Sequence, residues 1–162
     1  MEQLEIIKGK ITSPETLVRL RAIWKFKGQK VVFTNGCFDL IHRGHIEYLA
    51  RARDHGNILV IGLNTDSSVS RIKGPGRPIQ DEQTRALVLA SFSFVNNVVY
   101  FNEDTPYDLI ALLRPDVLVK GGDYAEHEIV GADLVKGYGG KVAVIPLILG
   151  HSTTALINKL SG

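Results

Sequence analysis

Two periods of apolar residues alternate along the chain. Short runs rich in β-branched residues occur at KVVFT (30–34), ILVIGL (58–63), NVVYF (97–101), DVLVK (116–120) and KVAVIP (141–146). They lack the polar alternation of a half-solvated strand, so they predict strands buried on both faces and therefore parallel pairing. Helical spacing fills the intervals. It is clearest over 45–54, where Ile46, Leu49 and Ala50 share a face and Glu47, Arg51 and Arg53 turn outward. It recurs at 81–92, at 105–113 behind Thr105-Pro106, and more weakly at 126–137. Helices at 14–26 and 153–160 flank this series. Strand-helix alternation predicts right-handed βαβ units, hence an α/β fold with an open parallel five-stranded sheet and helices on both faces. No repeat, low-complexity tract or linker interrupts it. Residues 1–162 read as a single domain, with 1–28 a helical extension and 29–162 the α/β core; KGPGRP (73–78) reads as a mobile loop.

Composition narrows the class of partner. The 162 residues carry 19 Lys and Arg against 17 Asp and Glu, with no single-sign excess of the kind that grips nucleic acid or an anionic membrane. A small molecule is the expected ligand. One cysteine, Cys37, cannot form an internal disulfide, and MEQLEIIKGK lacks a signal-peptide apolar stretch, so a cytoplasmic protein is expected.

Chemistry concentrates in FTNGCFDLIHRGH (33–45). In an open parallel sheet, ligands bind beyond the C-terminal strand ends where strand order reverses. This stretch leaves the first strand and enters a helix whose early N–H groups are unpaired and whose dipole favours anions. Asn35-Gly36 permits a tight turn. Gly44 removes the side chain that would obstruct a phosphate between His42 and His45, and the two imidazoles can donate to phosphoryl oxygens. Zinc ligation is the competing reading, but no Cys or third His stands at a spacing that completes a site. Neither G-x-G-x-x-G after the strand nor G-x-x-x-x-G-K-[ST] is present, which disfavours dinucleotide oxidoreductases and P-loop enzymes.

NGCFDLIHRGH resembles the H-x-G-H signature of the nucleotidyltransferase superfamily, and GHSTTALINKL (150–160) resembles its second signature, a Ser/Thr-rich helix start. Between them IGLNTDSS, KGPGRPI, DEQTR and LVKGGDY are similar, in order, to the adenylyltransferases of ADP-heptose synthesis. The likeness runs from about residue 12 onward. It implies a Rossmann-like nucleotidyltransferase fold and transfer of AMP from ATP to D-glycero-β-D-manno-heptose 1-phosphate, with Mg²⁺ accompanying the ATP, for lipopolysaccharide core biosynthesis. It implies that His42, His45 and Lys73 are catalytic: the imidazoles bond phosphate oxygens and the lysine supplies a mobile cation. The nucleotide would meet Thr34, Asn35, Gly36, Phe38, Gly44, Gly121, Gly122, Asp123, Ser152, Thr153 and Thr154. The acceptor would meet Asp39, Asp66, Arg77 and Arg85, with Arg85 binding its phosphate bidentately.

Plainer roles stand beside several of these. Asp39 can position the turn or cap a helix, Asp66 can be an N-cap, Gly121-Gly122 can be a turn, and Arg77 can be loop solvation. Glycerol-phosphate cytidylyltransferases resemble the chain too, but carry R-T-x-G-[IV]-S-T-T where LILGHSTT stands, with Leu147 replacing the arginine. That weakens the cytidylyl reading; a guanylyl-using relative is the other alternative within the class, and a non-catalytic nucleotide sensor the alternative outside it. His151 has no role in this scheme. Many relatives fuse the domain behind a sugar kinase, so the expected partners are ATP, a sugar 1-phosphate, a separate heptose kinase and, from family habit, a second copy of the chain; neither nucleic acid nor membrane is expected.

Overall fold

The computed structural model describes residues 2–122 and 124–146. Five strands, β1 (Val31–Gly36), β2 (Ile58–Asn64), β3 (Asn97–Phe101), β4 (Val117–Gly121) and β5 (Lys141–Ile145), form one wholly parallel sheet in the order β3-β2-β1-β4-β5. All five predicted strands are present within two residues of their expected ends. The order reverses between β1 and β4, which makes the gap beyond their C-terminal ends the topological switch point.

Alternation along each strand assigns the two faces. Val32, Leu59, Ile61, Val98, Val117 and Val119 pack with α3 (Arg43–Arg53) and α5 (Glu82–Ser91) through Leu49, Ala52, Ala86 and Leu89. Val31, Phe33, Ile58, Val60, Val99 and Leu118 pack on the opposite side with α2 (Pro14–Phe26), α6 (Tyr107–Leu113) and α7 (Ala132–Gly137). The buried stripe of α3 is Gly44, Tyr48, Leu49 and Ala52; Ile46, expected inward, is 41% exposed. The 126–137 pattern divides into a 3₁₀ turn, Glu126–Glu128, and α7.

Two helices escaped the sequence reading. One is α1 (Gln3–Lys8), which has no fully buried residue and sets only the partly buried Ile7 against the core, and the other is α4 (Asp66–Lys73), capped by the Thr65 side chain accepting from the Ser68 amide at 3.3 Å. Lys73, expected within the loop, is therefore the last residue of α4, and the loop begins at Gly74. The first 28 residues are tied to the core: Leu17 and Trp24 belong to it, and Ile11 bridges Val98. Among the described residues no helix is long and apolar enough to cross a membrane. The expected helix at 153–160 lies outside the described residues.

Gly62, in the middle of β2, shows how tightly the sheet and α6 meet. A β-carbon added there would stand 2.8 Å from Phe33 Cζ and 3.3 Å from Leu109 Cδ2. Both neighbours are buried, so Gly62→Ala should cost about 1–3 kcal/mol by overpacking. A urea midpoint unchanged from that of the parent chain would contradict this packing.

Candidate active site

The chain leaves β1 at Gly36 and turns through Cys37 and Phe38 before entering α3. Phe38 adopts a φ of 45°, which is rare outside glycine, and its ring folds back over Gly36. A β-carbon on Gly36 would lie 2.9 Å from that ring, so glycine is what allows the fold-back. The same ring meets His45 edge-on, with centroids 5.4 Å apart. His42 is the N-cap residue of α3, without a side-chain cap bond, and its carbonyl accepts from the His45 amide at 2.9 Å. The His42 and His45 rings stack at 3.9 Å. Both therefore sit at the open, partially positive end of an 11-residue helix.

The electrostatics follow from this crowding. Burial, and then the neighbouring His42, push the His45 pKa down to about 4, against a smaller opposing effect from the Leu40 backbone. The His45 ring is neutral at pH 7. Its Nδ1 atom is buried without a hydrogen-bond partner among the described residues. Beneath the pair, Tyr48 spans the sheet: its hydroxyl lies 2.6 Å from Thr34 Oγ1 and donates to the Val119 carbonyl at 3.3 Å. Thr34 is thus an inward support rather than a wall residue.

Two charged groups fix the opposite rim. Asp39, 2% exposed, accepts from the amides of Ile79 (2.8 Å) and Gln80 (3.0 Å) and from Arg77 Nε (2.6 Å). Burial alone would raise this carboxyl, but the Gln80 and Ile79 amides and the Arg77 guanidinium outweigh it and hold it below its ordinary range. The C-terminal end of the 74–78 loop and the two residues after it are thereby tied to the turn after β1. Arg85, 0% exposed, donates to the carbonyls of Cys37 (2.6 Å) and Gln80 (3.1 Å) and to Asp66 Oδ1 (2.7 Å).

These elements enclose a cavity of about 710 Å³ at the switch point, within the usual range for a small-molecule site. Its wall includes Asn35, Gly36, Phe38, Asp39, His42, Gly44, His45, Lys73, Arg77 and Gly121 from the sequence-based set. Four others are not on it. Arg85 lies behind the wall because its position on α5 faces the core beside Ala86 and Leu89, and each of its three nitrogens already holds a protein oxygen. Asp66 begins α4 with its Oδ1 accepting from Arg85, and neither residue is among those lining the cavity. Thr34 supports Tyr48, and Gly122 makes a buried turn at φ 126° with its amide donating to Ile145. Asp123, Leu147, His151, Ser152, Thr153 and Thr154 lie outside the described residues.

The wall also contains groups that the sequence reading passed over. Cys37, Asn64, Thr105 and Lys120 all face the cavity. Asn64 ends β2 and Lys120 is the penultimate residue of β4, at the same C-terminal rim as Asn35, which is the positional signal that could have found them.

A parallel sheet with paired imidazoles at a helix start over its switch point defines a Rossmann-like nucleotidyltransferase architecture. The chain belongs to the cytidylyltransferase-like family, whose model matches residues 33–156. It is 56% identical over 140 residues to the bifunctional protein HldE of Magnetococcus marinus, covering 86% of this chain and 29% of that protein. With HldE of Hyphomonas neptunium the identity is 57%, covering 84% and 28%. The chain thus spans less than a third of the length of these relatives. Among solved structures, it resembles the lipopolysaccharide core biosynthesis protein of Thermoplasma volcanium GSS1, with a TM-score of 0.59, 26% identity, and coverage of 75% of this chain and 98% of that one. Pantoate-beta-alanine ligase from Francisella tularensis shares the fold at a TM-score of 0.61 and 16% identity, covering 93% and 77% of the two chains.

The depressed His45 pKa has a measurable consequence for the ligand-free protein. An unfolded histidine takes its proton near pH 6.5, whereas folded His45 takes it only near pH 4. The unfolded state therefore binds more protons in that window. Its contribution to stability is complete above about pH 6.5 and is lost as the pH falls toward 4. Between about pH 7 and pH 5 the parent chain should lose more stability in urea titrations than His45→Asn does. Equal losses would mean that the ring is not desolvated.

Proposed function

We propose that the chain transfers AMP from ATP to a sugar 1-phosphate, D-glycero-β-D-manno-heptose 1-phosphate, releasing pyrophosphate and forming ADP-heptose for the lipopolysaccharide core. The observation that carries this reading is the stacked His42–His45 pair at the α3 start, facing the cavity at the switch point. The likeness to the HldE proteins supports heptose as the sugar, and the Thermoplasma volcanium protein is named for lipopolysaccharide core biosynthesis. A separate heptose kinase would then supply the acceptor, and the reaction would run in the cytoplasm, where ATP is available and Cys37 stays reduced.

In the proposed step, a phosphate oxygen of the acceptor forms a bond to the α-phosphorus of ATP. The bond from that phosphorus to the bridging oxygen breaks, and its electron pair leaves with pyrophosphate. No side chain needs to form a covalent intermediate, so the protein contributes positioning and charge stabilisation. His45, neutral before binding, donates one N–H to a phosphoryl oxygen, and His42 serves the adjacent oxygen. The unpaired amides at the α3 start take the charge that accumulates on the leaving group. Lys73, at the exposed end of α4, swings over the reacting phosphates, while Asn35, Gly36, Phe38, Gly44 and Gly121 shape the nucleotide side.

Among the described residues no group of three His, Cys, Asp or Glu is placed to hold a metal, and of the wall carboxylates Asp39 is taken up by Arg77 while Asp104 and Glu128 stand singly. That donor set fits a Mg²⁺ carried in on the triphosphate, with phosphate and water supplying most of its ligands. When bound, it neutralises phosphate charge.

Two measurements test the proposal. With heptose 1-phosphate and Mg²⁺, pyrophosphate release should be fastest with ATP; preference for CTP with glycerol 3-phosphate, or for GTP, would replace the adenylyl reading. His42→Ala and His45→Ala should each fold normally yet lose on the order of 10²-fold to 10³-fold in kcat, by analogy with removal of an oxyanion donor. Their combined effect should be less than additive, because both serve one phosphate chain. Near-normal kcat in both variants would refute the assigned role.

A further inference from the structure

Lys120 occupies an unusual position for a lysine. It is the penultimate residue of β4, inside the sheet's C-terminal edge at the switch point, and its side chain faces the cavity. Strand alternation places it on one side of the sheet. Val117 and Val119 belong to the core beneath α3 and α5, while Leu118 belongs to the core beneath α2, α6 and α7. Lys120 therefore projects with Leu118, on the α6 side, away from the imidazoles carried by α3.

Among the described residues its charge has no counter-ion: no carboxylate lies within ion-pair distance of Lys120. Arg77, by contrast, is matched by Asp39 at 2.6 Å. Asp104 and Glu128 are on the same wall but do not pair with it. Burial lowers the Lys120 pKa, Cys37 pulls it up and Lys73 pushes it further down. Burial also raises the Cys37 pKa, so near neutral pH the neighbour is an uncharged thiol that offers no compensation. A half-buried ammonium without an ion-pair partner among the described residues, in a cavity proposed to hold phosphates, is stabilised when an anion arrives. The α3 start and the stacked histidines already serve the nucleotide's phosphates on the other side of the sheet edge.

Accepting the proposed transfer reaction, we infer that Lys120 is an acceptor-binding residue: it receives the phosphate of the sugar 1-phosphate on the α6 side of the switch point. Asn35, Asn64 and Thr105 are other polar groups that line the same cavity.

The test compares the parent chain with Lys120→Met and Lys120→Arg, each checked for folding by circular dichroism. Steady-state rates are measured with ATP, Mg²⁺ and heptose 1-phosphate, and binding of heptose 1-phosphate alone is measured by calorimetry. Lys120→Met should raise the KM for the sugar phosphate about 10-fold to 100-fold, as expected for losing a charged hydrogen bond, with the KM for ATP unchanged and Lys120→Arg restoring part of the loss. An unchanged acceptor KM, or a rise confined to ATP, overturns the assignment while leaving the transfer reaction standing. If the parent chain forms no nucleotide sugar with ATP, CTP or GTP, the transfer reading fails by itself and the calorimetry decides. Binding of the 1-phosphate by the parent but not by Lys120→Met upholds the role of Lys120. Equal binding, or none by the parent, overturns it.

Discussion

One buried guanidinium holds the cavity's parts in register. Arg85 reaches from α5 to the Cys37 carbonyl in the turn after β1, to the Gln80 carbonyl after the 74–78 loop, and to Asp66 at the start of α4. These are three separate pieces of chain, and each carries or leads to a wall residue: Phe38 and the histidines, Arg77, and Lys73. A buried charge tolerates the loss of a partner poorly, because the group left behind stays desolvated and unpaired. The three segments are therefore coupled through one side chain. Asp39 repeats the device with opposite sign, since its carboxylate collects two amides and Arg77 from the loop. Together they link the turn after β1, the 74–78 loop and the start of α4 around one rim.

That linkage matters because the histidine pair is electrostatically awkward. Two imidazoles stacked at 3.9 Å next to a helix N-terminus cannot both hold a proton comfortably, and burial further disfavours the charged form of His45. A neutral ring still has one N–H to donate, and a donor fixed in a desolvated site requires no reorganisation when charge develops before it. The Phe38 ring against His45 and the Tyr48 hydroxyl between Thr34 and Val119 hold this arrangement from the side and from below.

The strands, the switch point and the histidine turn were legible in the sequence, because buried parallel strands leave dense β-branched runs and the turn contains Asn35-Gly36 and Gly44 in a recognisable order. Other features left weaker traces. Helix α4, DSSVSRIK, buries only Ser68 and Val69 and exposes Ile72, so it carries almost no apolar period. Arg85 looked like a ligand-binding arginine because DEQTRALVLAS does not reveal that its one strong cation faces the core; only the placement of Cys37 and Gln80 against α5 makes that side chain internal. Asp39 and Arg77 were visible as candidates, but their mutual pairing joins positions 38 residues apart. Lys120 sat inside a motif read for its glycines, and a strand-end lysine is ordinarily solvated.

The sheet edge offers a physical solution to the central difficulty of joining two phosphates. A phosphomonoester carries about −1.5 to −2 at pH 7 and is repelled by a triphosphate, so the two must be held against that repulsion from different directions. In-line displacement imposes the same requirement, because the entering and departing oxygens stand on opposite sides of the reacting phosphorus. By strand alternation Lys120 projects on the α6 side of the sheet and the imidazoles are carried by α3 on the other, and both line the cavity at the β1–β4 gap. Under the proposed transfer, the strand reversal that opens the cavity would provide two places for anions, one at the helix amides and imidazoles and one at a strand-borne ammonium. Lys120 is mounted on β4 itself, whereas the imidazoles follow the turn after β1, which Arg85 and Asp39 hold in place, so under the proposed transfer the spacing of the two places depends on that turn as well as on the sheet.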